Sequence, residues 1–160
     1  MLGASLYPFE NNFTDEELES RLVVASAMSA GTVLVEDSVN AGQLVAATDK
    51  AGFVLARDVT SSGPSTEQLL LGVRESSTKA GDPADVYVLR PGHIFATNQY
   101  VASGTGAITA ATAVGTELGV SNGQFMVKQA TGTGSVRIAV LHANRINQDG
   151  TIVVRVVALA

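Results

Sequence analysis

Apolar residues run along this chain in short stretches rich in Val, Ile, Leu and Phe, separated by clusters of Gly, Asn, Asp, Ser and Pro. That is the pattern of short β-strands joined by turns. Leu69, Leu70, Leu71 and Val73 form one strand, Val86 and Val88 another, and Ile94 and Phe95 a third beyond the Pro91-Gly92 corner. Between the first two, Ser76-Ser77-Thr78-Lys79-Ala80-Gly81-Asp82-Pro83 reads as a connection too polar to continue either strand. Upstream, residues 21–28 and 32–36 are β-compatible runs around the turn Ser29-Ala30-Gly31. Residues 43–48 and 53–58 flank Asp49-Lys50-Ala51-Gly52 in a hairpin pattern, echoed by residues 115–120, Ser121-Asn122-Gly123 and residues 124–129. A single pair is not a periodic repeat, so shared turn chemistry is preferred over two related modules.

Residues 101–115 are almost wholly Ala, Gly, Thr, Ser and Val, and fit either a loop or a small-residue strand. Residues 136–142 and 151–159 follow, with Asp149-Gly150 as a hairpin signal between them. The last run is apolar on both faces, which places it in the middle of a sheet or barrel, or at a subunit interface. Its interface candidates are Val153, Val154, Arg155, Val157 and Leu159. The expected fold is all-β, a compact barrel or sandwich of short strands with an extended N-terminal arm and one short helix. Thr14-Asp15-Glu16-Glu17 has capping-box spacing, and the helix is expected over residues 15–20. Residues 1–20 form the arm and helix, 21–97 a β-domain, and 98–160 a further β-hairpin module completing or extending the same domain.

Charge changes the picture at one end. Residues 1–20 hold five acids and no base, while the remaining ten acids balance ten bases, so the net charge of −5 belongs to the N-terminal segment. Tyr7, Phe9 and Phe13, three of the chain's eight aromatic residues, lie in the same segment, and Pro8 favours an extended backbone there. Such a leader is expected to lie along another subunit, its backbone bonded to a sheet edge and its rings in pockets; packing back on its own domain is the alternative. Leu6, Tyr7, Phe9, Phe13, Asp15, Glu16, Glu17 and Glu19 are the candidate contact residues. The acids would face a basic patch on a protein partner, or only solvent. A body without a basic cluster argues against nucleic acid.

The absence of cysteine removes disulfides, thiolate zinc sites and a cysteine nucleophile together. With no membrane-length apolar run and no early basic residue, a soluble protein made in the cytoplasm is expected. His93 and His142 have no neighbour at ligand spacing, and Asp82 and Asp85 fall short of a calcium shell. No nucleophile elbow or phosphate loop occurs. The expectation is therefore no enzyme activity, no metal and no cofactor.

Gly42-Gln43-Leu44-Val45, the stretch from Lys50 to Ala56, Leu70-Leu71-Gly72-Val73, Gly81-Asp82, Val86-Tyr87-Val88-Leu89 and Pro91-Gly92-His93-Ile94 together resemble tailed-bacteriophage head decoration (cement) proteins of the lambda type. The resemblance spans residues 31–97. It implies a homotrimer on the outer surface of the virion capsid, contacting the major capsid protein through an N-terminal arm and stabilising the head. Residues 98–160 exceed the small members of that family. The rival readings are a tail, baseplate or fibre-associated β-protein, and a small-molecule-binding β-barrel with His93 near its mouth.

Overall fold

The computed structural model describes residues 6–7, 18–63 and 77–160. Among these residues the chain is nearly all β, in three sheets, with one short helix and no closed barrel. The first sheet has the order β1 (Leu6–Tyr7), β10 (Ile94–Thr97), β14 (Thr151–Val156), β13 (Ala139–Arg145), β11 (Glu117–Ser121) and β12 (Gln124–Val127), antiparallel throughout. The second has the order β2 (Leu18–Glu19), β9 (Val86–Val88), β6 (Phe53–Leu55), β4 (Val33–Glu36), β5 (Gln43–Ala46) and β3 (Val23–Val24), with only β3 and β5 parallel. A parallel pair, β7 (Asp58–Thr60) and β8 (Ser77–Lys79), stands apart.

Alternation of side chains along the strands makes a sandwich of the two larger sheets. Val33 of β4 and Val54 of β6 join Phe95, Leu118, Val120, Phe125, Leu141, Ile152, Val154 and Val156 in one buried cluster. Phe95 and Phe125 meet there with ring centroids 6.0 Å apart and planes tilted by 53°. The next residues along the same strands, Leu34 and Leu55, turn to the opposite face and pack with Val24, Leu44, Val59, Ala84 and Val86. Because successive strand residues face opposite ways, the second sheet carries a core on each face. Of the two forms anticipated, the structure has the sandwich and not the barrel.

Strand β14 is central, as its two apolar faces require. It lies between β10 and β13, and residues 98–160 supply most of the first sheet, into which β10 crosses from the preceding part of the chain. Helix α1 (Ile146–Asp149) and the left-handed Gly150, at φ 77°, turn β13 into β14, so the Asp-Gly hairpin is present with a helical turn inside it. Residues 101–116 form no strand. They are a packed loop, anchored by Ile108, 1% exposed, and by Asn144 Nδ2 donating to the Thr109 and Thr112 carbonyls at 2.8 and 3.0 Å.

Several expectations are corrected. Leu18 and Glu19 are not helical; they pair with Tyr87 and Val86 as an edge strand. A helix of one or two turns is marginal alone, and the open side of β9 offers those backbone groups partners. Residues 15–17 lie outside the described residues, as do 69–73 and the rest of 64–76. Ser77, Thr78 and Lys79, read as part of a polar connection, form β8 beside β7. The single strand expected over 53–58 is broken into β6 and β7 around Ala56-Arg57. Nor do β5 and β6 form a hairpin, because β4 lies between them and pairs with both.

Candidate functional site

The leader enters the body as a strand. Leu6 pairs with Thr97 and Tyr7 with Ala96, so these residues occupy the β10 edge of their own sheet, where the sequence had placed them on another subunit. The edge of β10 opposite β14 is open in the fold, and the nearest chain able to satisfy its backbone groups is the protein's own N-terminal segment. Phe9, Phe13, Asp15, Glu16 and Glu17 lie outside the described residues. Glu19 is not a free acid. Its carboxylate accepts from Arg21 Nε at 3.0 Å, Arg21 Nη2 at 3.1 Å and the Arg21 backbone N–H at 2.8 Å. The Arg21 side chain, then its backbone N–H, pulls the Glu19 carboxyl down from 4.5 to about 2.

The interface candidates divide by burial. Val153 and Val154 are 1% and 0% exposed within the chain itself, Val157 and Leu159 are half-buried, and Arg155 is exposed. The two valines are therefore interior residues of a central strand, while Arg155 is available to a partner. Val154 faces the shared core; Val153 faces the other side of the sheet, opposite Ala96 in register.

Two of the residues screened for chemistry, His93 and Asp85, have structural partners. His93 is 6% exposed, and its Nδ1 accepts the Arg90 backbone N–H at 2.9 Å across the Pro91-Gly92 turn, so it marks a corner and not a barrel mouth. His142 sits exposed at the register shift of β13. Asp85 accepts Ser20 Oγ at 2.9 Å and pairs with Arg57 Nε at 3.3 Å, tying the ends of β2 and β6 to β9. Asp37 accepts Asn40 Nδ2 and the Val39 N–H, both at 2.9 Å, closing the β4–β5 turn and lowering its own pKa, with the Asn40 side chain the larger cause. Among the described residues no three His, Cys, Asp or Glu side chains are grouped to hold a metal, and no helix is long and apolar enough to cross a membrane.

What the structure assembles, and the sequence did not reveal, is a cleft at the sheet junction. The Asn122-Gly123 tip of the β11–β12 hairpin abuts the second sheet: Gly123 N–H donates to the Ala47 carbonyl at 2.8 Å, and Val33 N–H to the Gly123 carbonyl at 2.9 Å. Asn122 N–H donates to Thr48 Oγ1 at 3.0 Å. Beside this joint, residues 26–29 cross towards β4, held where Met28 and Val59 exchange backbone hydrogen bonds at 2.8 Å and Ala30 N–H donates to Asp58 Oδ1 at 2.7 Å. Between the crossing segment and the hairpin tip lies an open cleft of about 390 Å³, walled by Ser26, Met28, Ser29, Thr32, Gln99, Asn122 and Gln124, with Ala27 and Ala46 as apolar patches. A second groove of about 320 Å³, with Asp58 and Thr60 in its wall, lies on the other flank of the same segment.

No ionisable side chain lines the larger cleft. Its polar groups are amides and hydroxyls from three separated stretches of chain, residues 26–32, Gln99 and residues 122–124, and such residues carry no spacing signature, so no pattern in the sequence could have joined them. No protein-family model, curated protein or solved structure matches the chain.

Proposed function

We propose that this protein is a non-enzymatic structural component of a tailed-phage virion, binding the outside of the capsid as a homotrimer and stabilising the head by bridging neighbouring major capsid proteins. The observation that carries the reading is the composition of the leader, aromatic and acidic on a neutral body; its Leu6 and Tyr7 pair with the chain's own β10, so contact with a partner falls to the positions around them. On this reading Leu6 and Tyr7 fix the leader to β10, and the positions around that anchor, Phe9, Phe13 and Asp15 to Glu17, meet the capsid protein. Attachment stabilises the assembled head because the ligand binds only that state, and three linked subunits make each attachment multivalent. The body supports such a role. Two of its sheet edges are covered by its own segments: Phe125 N–H donates to the Gln99 carbonyl at 3.1 Å beside β12, and Ala84 N–H to the Leu22 carbonyl at 2.9 Å beside β3.

The test is to mix the full chain, and a chain lacking residues 1–13, with expanded undecorated heads and to locate bound protein on the particles. The full chain should bind at the capsid surface and the truncated chain should not, while the truncated body still unfolds cooperatively. Equal binding by both chains, or binding confined to tails, refutes the reading.

A further inference from the structure

We propose that the cleft beside the β11–β12 tip is a binding site for a small neutral carbohydrate, a property that holds whether or not the chain rides on a capsid. The side-chain amides of Asn122 and Gln124 carry the argument. They flank Gly123, whose backbone is locked to Ala47 and Val33, so the backbone that carries them is held in place, with Asn122 exposed and Gln124 half-buried. Yet neither side-chain amide has a hydrogen-bond partner among the described residues. Across the cleft, Thr32 Oγ1 donates to the Ser29 carbonyl at 2.6 Å and keeps lone pairs for a further donor.

The lining selects the class of ligand. An amide and a hydroxyl each donate and accept, as does every sugar hydroxyl, so the two surfaces can exchange hydrogen bonds in either sense. A charged ligand would give up hydration here without meeting a counter-charge, because no ionisable side chain lines the cleft. Ala27, Met28 and Ala46 are the apolar residues of the lining, available to the C–H face of a pyranose ring. The volume of about 390 Å³ sits at the small end of the range for ligand sites, which suits a mono- or disaccharide. The backbone of the joint is already hydrogen-bonded to Ala47 and Val33, so binding does not have to order it.

An extended peptide is the less fitting occupant. Peptides dock on sheets by taking up free backbone groups at an edge. Both edges beside this cleft are already used, Met28 by Val59 and Phe125 by Gln99 and Val101.

The experiment is a heteronuclear NMR titration of the full chain with glucose, galactose, N-acetylglucosamine and their disaccharides, with sialic acid and a Gly/Ser/Gln peptide as comparison ligands. At least one neutral sugar should give saturable shifts confined to Ser26, Ser29, Ala46, Gln99, Asn122 and Gln124, with Kd in the millimolar range. Gln124→Ala, at a half-buried strand end, should weaken that sugar about tenfold while leaving shifts elsewhere in the spectrum unchanged. Gln124→Asn, which keeps an amide, should recover part of the loss. No saturable shift by about 50 mM of any neutral sugar, shifts outside the cleft, equal binding by Gln124→Ala, or a response to sialic acid or the peptide alone overturns the proposal.

Discussion

Two stretches with the same plan in sequence fold in opposite ways. Residues 117–127 form a true hairpin, β11 and β12, whose turn residues Asn122 and Gly123 both have positive φ, 48° and 78°. A two-residue turn of that geometry matches the twist of the strands it joins. Residues 43–55 also place a short strand, a glycine-bearing connection and a phenylalanine strand in order, but the connection is longer and only Asp49 in it has positive φ, 56°. That extra length carries the chain round the end of β4, which slots between β5 and β6. The wide loop then receives the narrow tip: Asp49 N–H donates to the Val120 carbonyl at 3.0 Å, and Asp49 Oδ1 accepts Gly134 N–H at 2.8 Å. A two-residue turn fixes a hairpin; a longer connection permits one, as residues 37–42 do between β4 and β5, or lets another strand slot in, as residues 47–52 do between β5 and β6.

The two phenylalanines separate the regions most sharply. Phe125 is 0% exposed in the shared core, whereas Phe53 is only partly buried against the second cluster. Phe125→Ala should cost about 4 kcal/mol and Phe53→Ala about half of that, read from denaturant midpoints. Equal losses would mean that the two strands contribute alike and that the distinction is superficial.

Next comes the joint itself. A Cβ at Gly123 would run into Thr32 Cγ2, and its positive φ is unfavourable for any side chain, so Gly123→Ala should destabilise by about 3 kcal/mol. Gly42, also at positive φ with nothing near a Cβ, is the control; Gly42→Ala should cost only about 1 kcal/mol. On the receiving side, Asp49→Ala removes the acceptor for Gly134 N–H and should cost about 1–2 kcal/mol by the same measurement.

The smallest effect lies away from the joint, at Glu19. Its carboxyl is pulled down from 4.5 to about 2, so the ionised form is favoured in the folded chain. The stabilisation from its contacts with Arg21 is therefore complete above pH 4.5 and lost as pH falls through about 2. Arg21 is almost wholly exposed, and the effect on unfolding should be slight. Carboxyl NMR should follow the titration directly, with Arg21→Ala returning the midpoint towards 4.5.

Strand chemistry was legible wherever β-branched residues alternate or run together, as at residues 33–36, 86–88 and 151–156, because those side chains favour a pleated, buried surface. The two apolar faces of β14 left a central strand or a subunit interface open, and the structure has the central strand. Less could be read where the local signal was weak. Leu18-Glu19 followed the capping-box pattern of residues 14–17, and Ser77 to Lys79 carried turn formers, yet both pair at sheet edges because an open edge outweighs modest propensity. The leader was read as extended and edge-bound, but whose edge it binds depends on the open side of β10, which no residue within the leader encodes.

Sequence alone settled what each short segment could be: β-type runs, positive-φ turns at Asn122-Gly123 and Gly150, and a neutral body with an acidic leader. Only the tertiary structure decided which strands are neighbours, that Val153 and Val154 are both buried within the chain, and that amides from distant stretches border one cleft. The reason is one of range. Propensity and turn geometry act over a few residues, whereas strand order and site assembly depend on which apolar faces can be buried together across the whole chain.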